Sequence, residues 1–266
     1  MKLGVIGAGN MASAIVRGVV ASKKISTNDI FVSDKDTKKL KALGEFGRNT
    51  TTDDATVYKS SDVVICAVKP NIYPIVLDEA AQCDMKDKLI ISIAPGITTK
   101  TIEAHFDFDI SVVRTMPNTP AMVGEGMSVL CVGANVSEKD LDVAKMIFSC
   151  VGKVACLNEN MMDSVVAISG SSPAYVFMLI EAMADAGVKS GLTREISYEL
   201  AAQSVLGSAK MVLETKKHPG ELKDMVCSPG GTTIDAVAVL EKRGFRNGII
   251  EAMDACTKKT REMGKK

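Results

Sequence analysis

The first 158 residues alternate short apolar runs with longer stretches in which apolar residues recur every three or four positions. Near-continuous apolar runs are typical of strands buried in a parallel sheet, and the periodic stretches are typical of helices that cover it. The pattern predicts strands at Leu3–Ile6, Ile30–Ser33, Val63–Ala67, Leu89–Ile93, Ser111–Arg114, Met127–Val132 and Gly152–Leu157. It predicts helices at Met11–Ala21, Lys35–Leu43, Ile72–Ala81, Thr98–His105 and Glu138–Cys150.

After about Asn158 the strand pattern stops. Four helices are predicted there, at Pro173–Gly187, Arg194–Glu214, Thr232–Lys242 and Gly248–Met263. The first is apolar nearly all round over residues 174–180, which is typical of a helix buried on several sides. We therefore predict an α/β domain over residues 1–158 and an all-helical domain over residues 159–266. We expect the helical domain to pack against a second subunit, and a private core is the alternative.

A glycine turn, residues 7–12, joins the first predicted strand to the first predicted helix. Gly7 permits a tight turn, Gly9 lets the backbone approach phosphate groups, and Ala12 is small enough to pack helix on strand. With a strand before it and a helix after it, the motif predicts a dinucleotide site in a Rossmann-type domain. An ordinary connecting turn is the alternative. The predicted cofactor contacts here are Ile6, Gly7, Ala8, Gly9, Asn10 and Met11.

Further cofactor contacts are predicted at the carboxyl ends of the next strands, where open parallel sheets bind ligands. An acidic side chain after the second strand binds the ribose hydroxyls of NAD, whereas hydroxyl and cationic side chains hold the 2′-phosphate of NADP. Asp34 thus favours NADH, while Ser33 and Lys35 favour NADPH. We predict NADPH as the donor, with NADH as the alternative.

The loops after the later strands are rich in proline. We predict that Ala67, Val68, Lys69 and Pro70 lie along the pyrophosphate and the nicotinamide ribose. Asn118, held between Pro117 and Pro120, is predicted to contact nicotinamide or substrate. A purely connecting role is the alternative for these loops.

The helical half contains Ser228-Pro229-Gly230-Gly231-Thr232-Thr233 directly before a predicted helix. Such an entry exposes several N–H groups beside two hydroxyls, and helix N-termini bind anions. The segment predicts a site for a small carboxylate formed by Gly230, Gly231, Thr232 and Thr233. A simple turn between helices is the alternative.

Composition narrows the possible partners. The formal net charge is zero, with 32 basic and 32 acidic residues, and aromatic residues make up 4%, which argues against nucleic acid. Two histidines and seven cysteines without a C-x-x-C pair predict neither a metal site nor a disulfide framework. We expect no membrane-spanning run and no targeting segment, and therefore a cytoplasmic protein.

Five segments together resemble pyrroline-5-carboxylate reductases in order and spacing. They are Gly7–Ala12, Ala67–Pro70, Met116–Pro120, Ser169–Tyr175 and Lys223–Thr233. The resemblance implies NAD(P)H-dependent reduction of 1-pyrroline-5-carboxylate to L-proline. It also implies a helical dimerisation domain, with homodimers that can form larger rings such as decamers.

On this interpretation, the N–H groups of residues 230–233 hold the substrate carboxylate. The Thr233 hydroxyl is the candidate hydrogen-bond partner, and proton donor, of the ring nitrogen. Because the imine nitrogen is readily protonated, we expect close placement of the imine carbon and the nicotinamide to contribute more to the rate than a strongly acidic side chain. We expect the helical domain to bring this loop to the cofactor, from the partner subunit.

Three residues depart from the family pattern: Asp34, where a polar uncharged residue is frequent, Pro95, which lacks an N–H near the nicotinamide, and Asp54, which is Asn in some relatives. Two other functions are the alternatives. β-Hydroxyacid dehydrogenases resemble one another through a Lys-x-x-x-Asn pair on the long helix of their second domain. No such pair follows Asn160 in this sequence, which counts against this function. A non-catalytic dinucleotide sensor has no reason to keep the Pro-Gly-Gly-Thr-Thr loop.

Overall fold

The computed structural model describes residues 1–46 and 49–263, so the last three residues of the predicted helical domain lie outside it. Its strands are β1 (Leu3–Ile6), β2 (Ile30–Ser33), β3 (Asn49–Thr51), β4 (Val63–Cys66), β5 (Leu89–Ser92), β6 (Ser111–Met116), β7 (Gly126–Val132) and β8 (Gly152–Cys156). In the described part of the chain they form one sheet of order β3-β2-β1-β4-β5-β6-β7-β8. The seven predicted strands are confirmed to within two residues at each end.

Within residues 1–46 and 49–263, seven α-helices lie among and directly after the strands. They are α1 (Asn10–Ser22), α2 (Thr37–Leu43), α3 (Asp54–Ser60), α4 (Tyr73–Ala81), α5 (Thr99–Glu103), α6 (Glu138–Phe148) and α7 (Met162–Val165). A π-helical turn, Val166–Gly170, follows α7. The later helices are α8 (Ser172–Lys189), α9 (Arg194–Thr215), α10 (Pro219–Val226), α11 (Thr232–Lys242) and α12 (Phe245–Met263).

The strand order reverses at β1, which pairs in parallel with β2 on one side and with β4 on the other. Ile6 is in register with Ser33 and with Cys66, so the carboxyl ends of these three strands are level. A crevice at this reversal is the usual ligand site of open α/β sheets. The topology therefore places the glycine turn at the expected position.

The sheet is mostly parallel, and β7 is the exception. It runs antiparallel to β6 because the connection between them, residues 117–125, is too short for the crossover that a parallel pair needs. The β7–β8 pair is parallel again, joined through α6. The edge strand β3 was not predicted, because Asn49-Thr50-Thr51 has no apolar residue to mark it.

Hydrophobic cores cover both faces of the sheet. Strands β1, β4 and β5 are buried at every position, as parallel strands between two helical layers must be. On one face α1 contributes the fully buried Ile15 and Val16. On the other, α4 contributes Tyr73 and Leu77. Burial of each large apolar side chain contributes roughly 1.5–3 kcal/mol to the stability of the folded state. Packing of the two helical layers on the sheet therefore stabilises this fold.

The chain forms two compact units: residues 1–171 together with the segment from Cys256 onward, and residues 172–255. The predicted division after residue 158 stays a prediction. In the second unit α8 packs closely on α9, since a Cβ on Gly187 would lie 2.7 Å from Ser197 Oγ. The α8 surface nevertheless exposes large apolar side chains, including Phe177 at 62% and Met178 at 67%.

The stretch Glu159–Lys189 is long and apolar enough, by length and composition alone, to cross a membrane. The expectation that no apolar run approaches a membrane span was therefore wrong by this criterion. The π-helical turn interrupts this stretch. The apolar surface of the stretch also suits a helix that packs against another subunit.

Replacing Gly152 with Ala tests the close β7–β8 approach. Gly152 has φ +147°, and a Cβ there would overlap backbone atoms of Gly126. We expect Gly152→Ala to lower the free energy of unfolding by about 3 kcal/mol or more.

The matched control is Gly124→Ala: Gly124 has φ +78°, but none of the described atoms comes within 4 Å of an added Cβ. We expect it to cost about 1 kcal/mol, from backbone strain alone. Urea denaturation at one fixed subunit concentration measures both losses. An equal loss in the free energy of unfolding for both variants would show that the close β7–β8 contact does not require glycine at position 152.

Candidate active site

The glycine turn is held tightly against the ends of the neighbouring strands. Gly7 has φ +98°, and a Cβ on it would lie 2.7 Å from the Ala67 carbonyl oxygen, so only glycine fits. The Gly7 N–H donates to the Ser33 carbonyl oxygen at 2.7 Å. The Ala67 N–H donates to the Ile6 carbonyl oxygen at 2.8 Å. These bonds join the turn to both neighbours of β1.

The start of α1 is open to an anion. Around Gly9, the residue before α1, no described atom comes within 4 Å of an added Cβ. Within the described residues no side chain caps α1, and its first turn has no acidic residue. The first N–H groups of a helix lack intrahelical acceptors and attract negative charge. The turn therefore has the space and the donors that a pyrophosphate needs.

A cavity of about 370 Å³ opens along this edge of the sheet. The predicted residues that line it are Ile6, Gly7, Gly9, Lys35, Ala67, Val68 and Lys69. Because the cavity lies beyond the level ends of β1, β2 and β4, it can accept the adenosine and pyrophosphate parts of a dinucleotide. The predicted cofactor site and the observed cavity therefore coincide at these residues.

Asp34 projects into this cavity from the end of β2. Its Oδ2 atom accepts the Ala8 N–H at 2.8 Å, and its Oδ1 atom accepts the Asp36 N–H at 2.8 Å. Lys39 Nζ lies 3.6 Å from Asp34 Oδ2. The carboxylate is thus fixed in position directly beside the glycine turn.

A second ion pair lies at the same end of the cavity. Lys35 Nζ is 3.3 Å from Asp54 Oδ2, and the Asp54 side chain is only 5% exposed. Lys35 Nζ also donates to the Thr52 carbonyl oxygen at 3.3 Å. Asp36, by contrast, accepts the Lys38 N–H at 2.9 Å and caps α2.

The buried Tyr73 side chain joins the ends of β4 and β5. Its hydroxyl donates to the Cys66 carbonyl oxygen at 2.7 Å and lies 2.8 Å from Ser92 Oγ. Burial raises the pKa of Tyr73 far above its ordinary value and that of Cys66 to about 12. Both stay neutral and serve structure. Sequence reasoning missed Tyr73, whose position on the buried face of α4 was the available signal.

Asn118 uses its amide to join two segments. Its Nδ2 donates to the Ser169 carbonyl oxygen at 2.9 Å, and its Oδ1 accepts the Met127 N–H at 2.8 Å. The side chain therefore joins the β6–β7 connection to the π-helical turn. Such π-helical turns are often found at functional sites. Its predicted contact with nicotinamide or substrate stays a prediction, with one Nδ2 hydrogen left to make it.

A smaller cavity, of about 270 Å³, lies beside Pro95 and Gly96 at the end of the β5 loop. Val166, the first residue of the π-helical turn, and Ser171, the residue directly after the turn, also line this cavity. Pro95, one of the three residues that depart from the family pattern, therefore lines this cavity.

The other predicted cofactor residues are not among the residues that line the cavity. Ser33 is fully buried, and its hydroxyl has no partner among the described residues, so a phosphate contact is not favoured by the geometry. Asn10 and Met11 form the first turn of α1, and Pro70 begins a short 3₁₀ turn. The Ala8 N–H is the one that Asp34 accepts. Their cofactor contacts stay predictions.

In the second unit, the predicted carboxylate segment forms the entry to α11. The Gly231 N–H donates to the Ser228 carbonyl oxygen at 3.0 Å, so this predicted donor is already used in the turn. Thr232 and Thr233 are the first two helical residues, whose N–H groups have no intrahelical acceptor. In the described chain no side chain caps α11. Together with Gly230, which precedes the helix, these residues can bind a small anion.

Two family models match the chain. One, described as pyrroline-5-carboxylate reductase dimerisation, matches residues 159–263. The other, described as NADP oxidoreductase coenzyme F420-dependent, matches residues 2–96. The first covers the helices after β8, and the second covers the glycine turn and the loops after β2 and β4.

Individual relatives match over nearly the whole chain. The pyrroline-5-carboxylate reductase of Escherichia coli is 47% identical over 265 residues, which cover 99% of this chain and 98% of that protein. The crystal structure of Plasmodium falciparum pyrroline carboxylate reductase with NADP bound has a TM-score of 0.91 at 35% identity, covering 99% of this chain and 98% of that one. The Coxiella burnetii pyrroline-5-carboxylate reductase has a TM-score of 0.90 at 36% identity, covering 98% of each chain. The chain therefore belongs to the pyrroline-5-carboxylate reductase family.

Proposed function

We propose that this protein reduces 1-pyrroline-5-carboxylate to L-proline with NAD(P)H. The observation that carries the proposal is the uncapped N-terminus of α11 beside Thr233, in a chain whose other unit has the dinucleotide cavity. The similarity to pyrroline-5-carboxylate reductases over the full length supports the same reaction. When bound, the cofactor would supply a hydride to the carbon of the C=N bond, and the nitrogen would end with one proton, either already held by the protonated imine or taken from water or a weak donor.

The substrate carboxylate is held at the start of α11. The N–H groups of Thr232 and Thr233 have no acceptor within α11, Gly230 lies just before this helix, and the helix dipole favours negative charge at this end. Gly231 contributes by shaping the turn, because a Cβ there would clash with Ser228 Oγ. The site thus recognises the one charged group that every form of the substrate carries.

The Thr233 hydroxyl is the proposed partner of the ring nitrogen. A hydroxyl can donate to a neutral imine or accept from a protonated one. An imine nitrogen is basic enough to take its proton from water or from a weak donor, so orientation is the main requirement. This agrees with a site built from N–H groups and hydroxyls.

We further propose that the enzyme works in the cytoplasm as a homodimer that can assemble into a ring such as a decamer. The exposed apolar side chains of α8 and the matched dimerisation model support a subunit interface. Neither a membrane nor a nucleic acid is required, and the zero net charge supports the latter point.

The first test is the reaction of the unmodified protein. We expect oxidation of NADPH or NADH on addition of 1-pyrroline-5-carboxylate, with L-proline as product. The control is a 3-hydroxy acid with the oxidised cofactor, which tests for a β-hydroxyacid dehydrogenase. Oxidation of the 3-hydroxy acid, or cofactor binding without any turnover, would overturn the proposed function.

Thr233→Val tests the hydroxyl while keeping the shape of the side chain. We expect kcat/KM for the imine to fall about 10- to 100-fold, as for the loss of one positioned hydrogen-bond donor. Cofactor affinity should stay unchanged. Thr215→Val, the same change near the end of α9, is the control and should keep full activity. Unchanged turnover and KM in Thr233→Val would remove Thr233 from the mechanism.

Thr232→Pro tests the backbone donors. Proline is well tolerated at the first helical position, and Gly231, with ψ 166°, has the extended backbone that a residue before proline needs. The change removes one N–H that we assign to the carboxylate. We expect KM for 1-pyrroline-5-carboxylate to rise about tenfold. With 1-pyrroline, the same ring without the carboxylate, KM should not change; an equal rise for both substrates would refute carboxylate binding at this N–H.

A further inference from the structure

Asp34 stands where a dinucleotide-binding domain distinguishes NAD from NADP. We propose that Asp34 sets the cofactor choice of this enzyme, so that NADH binds at least as tightly as NADPH. The inference deepens and rests on the proposed function, because it concerns the hydride donor of that same reaction. It concerns the adenine-ribose end of the cavity.

The Asp34 carboxylate is positioned to accept the two ribose hydroxyls. Its oxygens are held by the Ala8 and Asp36 N–H groups, both at 2.8 Å. A carboxylate offers about four acceptor positions, so each oxygen keeps capacity for one hydroxyl. The side chain is 13% exposed and lines the cavity, so it is fixed before any ligand arrives. Such a preorganised acceptor suits a ribose with a free 2′-hydroxyl.

The nearby lysines are already neutralised. Lys39 is paired with Asp34 at 3.6 Å, and Lys35 is paired with Asp54 at 3.3 Å. Among the described residues that line the cavity, the β2 end therefore contains two carboxylates and two ammonium groups. A 2′-phosphate placed here meets the Asp34 charge, and no lysine of this described lining at the β2 end is unpaired to offset it.

Lys69 also lines the cavity, but it lies in the loop after β4. In the sheet, β4 is separated from β2 by β1, so the two strand ends are roughly 10 Å apart. Lys69 is therefore suited to the pyrophosphate and not to a group on the adenine ribose. The balance at the β2 end depends on Asp34.

The test is cofactor binding to the full-length protein without imine. The chain contains no tryptophan, so binding is followed by the fluorescence of the reduced nicotinamide itself or by calorimetry. For the unmodified protein we expect the Kd of NADH to be no higher than that of NADPH. In Asp34→Asn we expect the NADH Kd to rise and the NADPH Kd to fall by about tenfold each, because a charged acceptor is lost and Lys39 is released.

Two variants make the result specific. Asp36→Asn removes the same charge two residues away and keeps a good helix cap, so both Kd values should stay within about twofold. Adding Lys39→Met to Asp34→Asn should abolish the gain in NADPH affinity. A Kd ratio unchanged by Asp34→Asn, or a tenfold preference of the unmodified protein for NADPH, would overturn the assignment. If neither donor bound at all, both this inference and the proposed function would fail.

Discussion

The parallel register of β1 with β2 and β4 is the constraint on which the site depends. Ile6 lies level with Ser33 and Cys66, so the next residue, Gly7, must turn in the narrow space above both neighbours. Contact with the Ala67 carbonyl leaves room only for hydrogen at that position. The direction of α1, the opening at Gly9 and the cavity beyond the strands all follow from this turn.

The site relies on fixed dipoles and paired charges more than on titrating side chains. Tyr73 and Cys66 are kept neutral by burial and support the edge of the sheet. The N-termini of α1 and α11 both lack a side-chain cap in the described chain and remain available to anions. A substrate that carries its own carboxylate and an easily protonated nitrogen suits such a site, because binding and orientation supply most of what the reaction needs.

Local patterns allowed much of this to be predicted from the sequence. Continuous apolar runs identified β1, β4 and β5, and glycine spacing identified the cofactor turn, because both signals lie within a few neighbouring residues. Strand β3 escaped prediction because its three residues are all polar and form no apolar pattern. The direction of β7 depends on the length of a connection and not on the strand itself.

Long-range contacts could not be predicted in this way. Asp34 meets the Ala8 N–H across 26 residues, and Asn118 meets the Ser169 carbonyl across 51. Sheet register and helix packing bring these residues together, and neither can be inferred from the few residues next to Asp34 or Asn118. Gly231 is a local case: the sequence indicated its N–H as a carboxylate donor, but the turn geometry directs that N–H to the Ser228 carbonyl oxygen three residues earlier.

The central claim is that hydride passes from the bound cofactor to the imine carbon of 1-pyrroline-5-carboxylate. The most direct measurement uses NADH or NADPH carrying deuterium at the transferring position of the dihydronicotinamide and locates the label in the product by NMR. The account predicts L-proline with deuterium on the ring carbon that was double-bonded to nitrogen. Unlabelled proline, or cofactor oxidation without formation of proline, would contradict it.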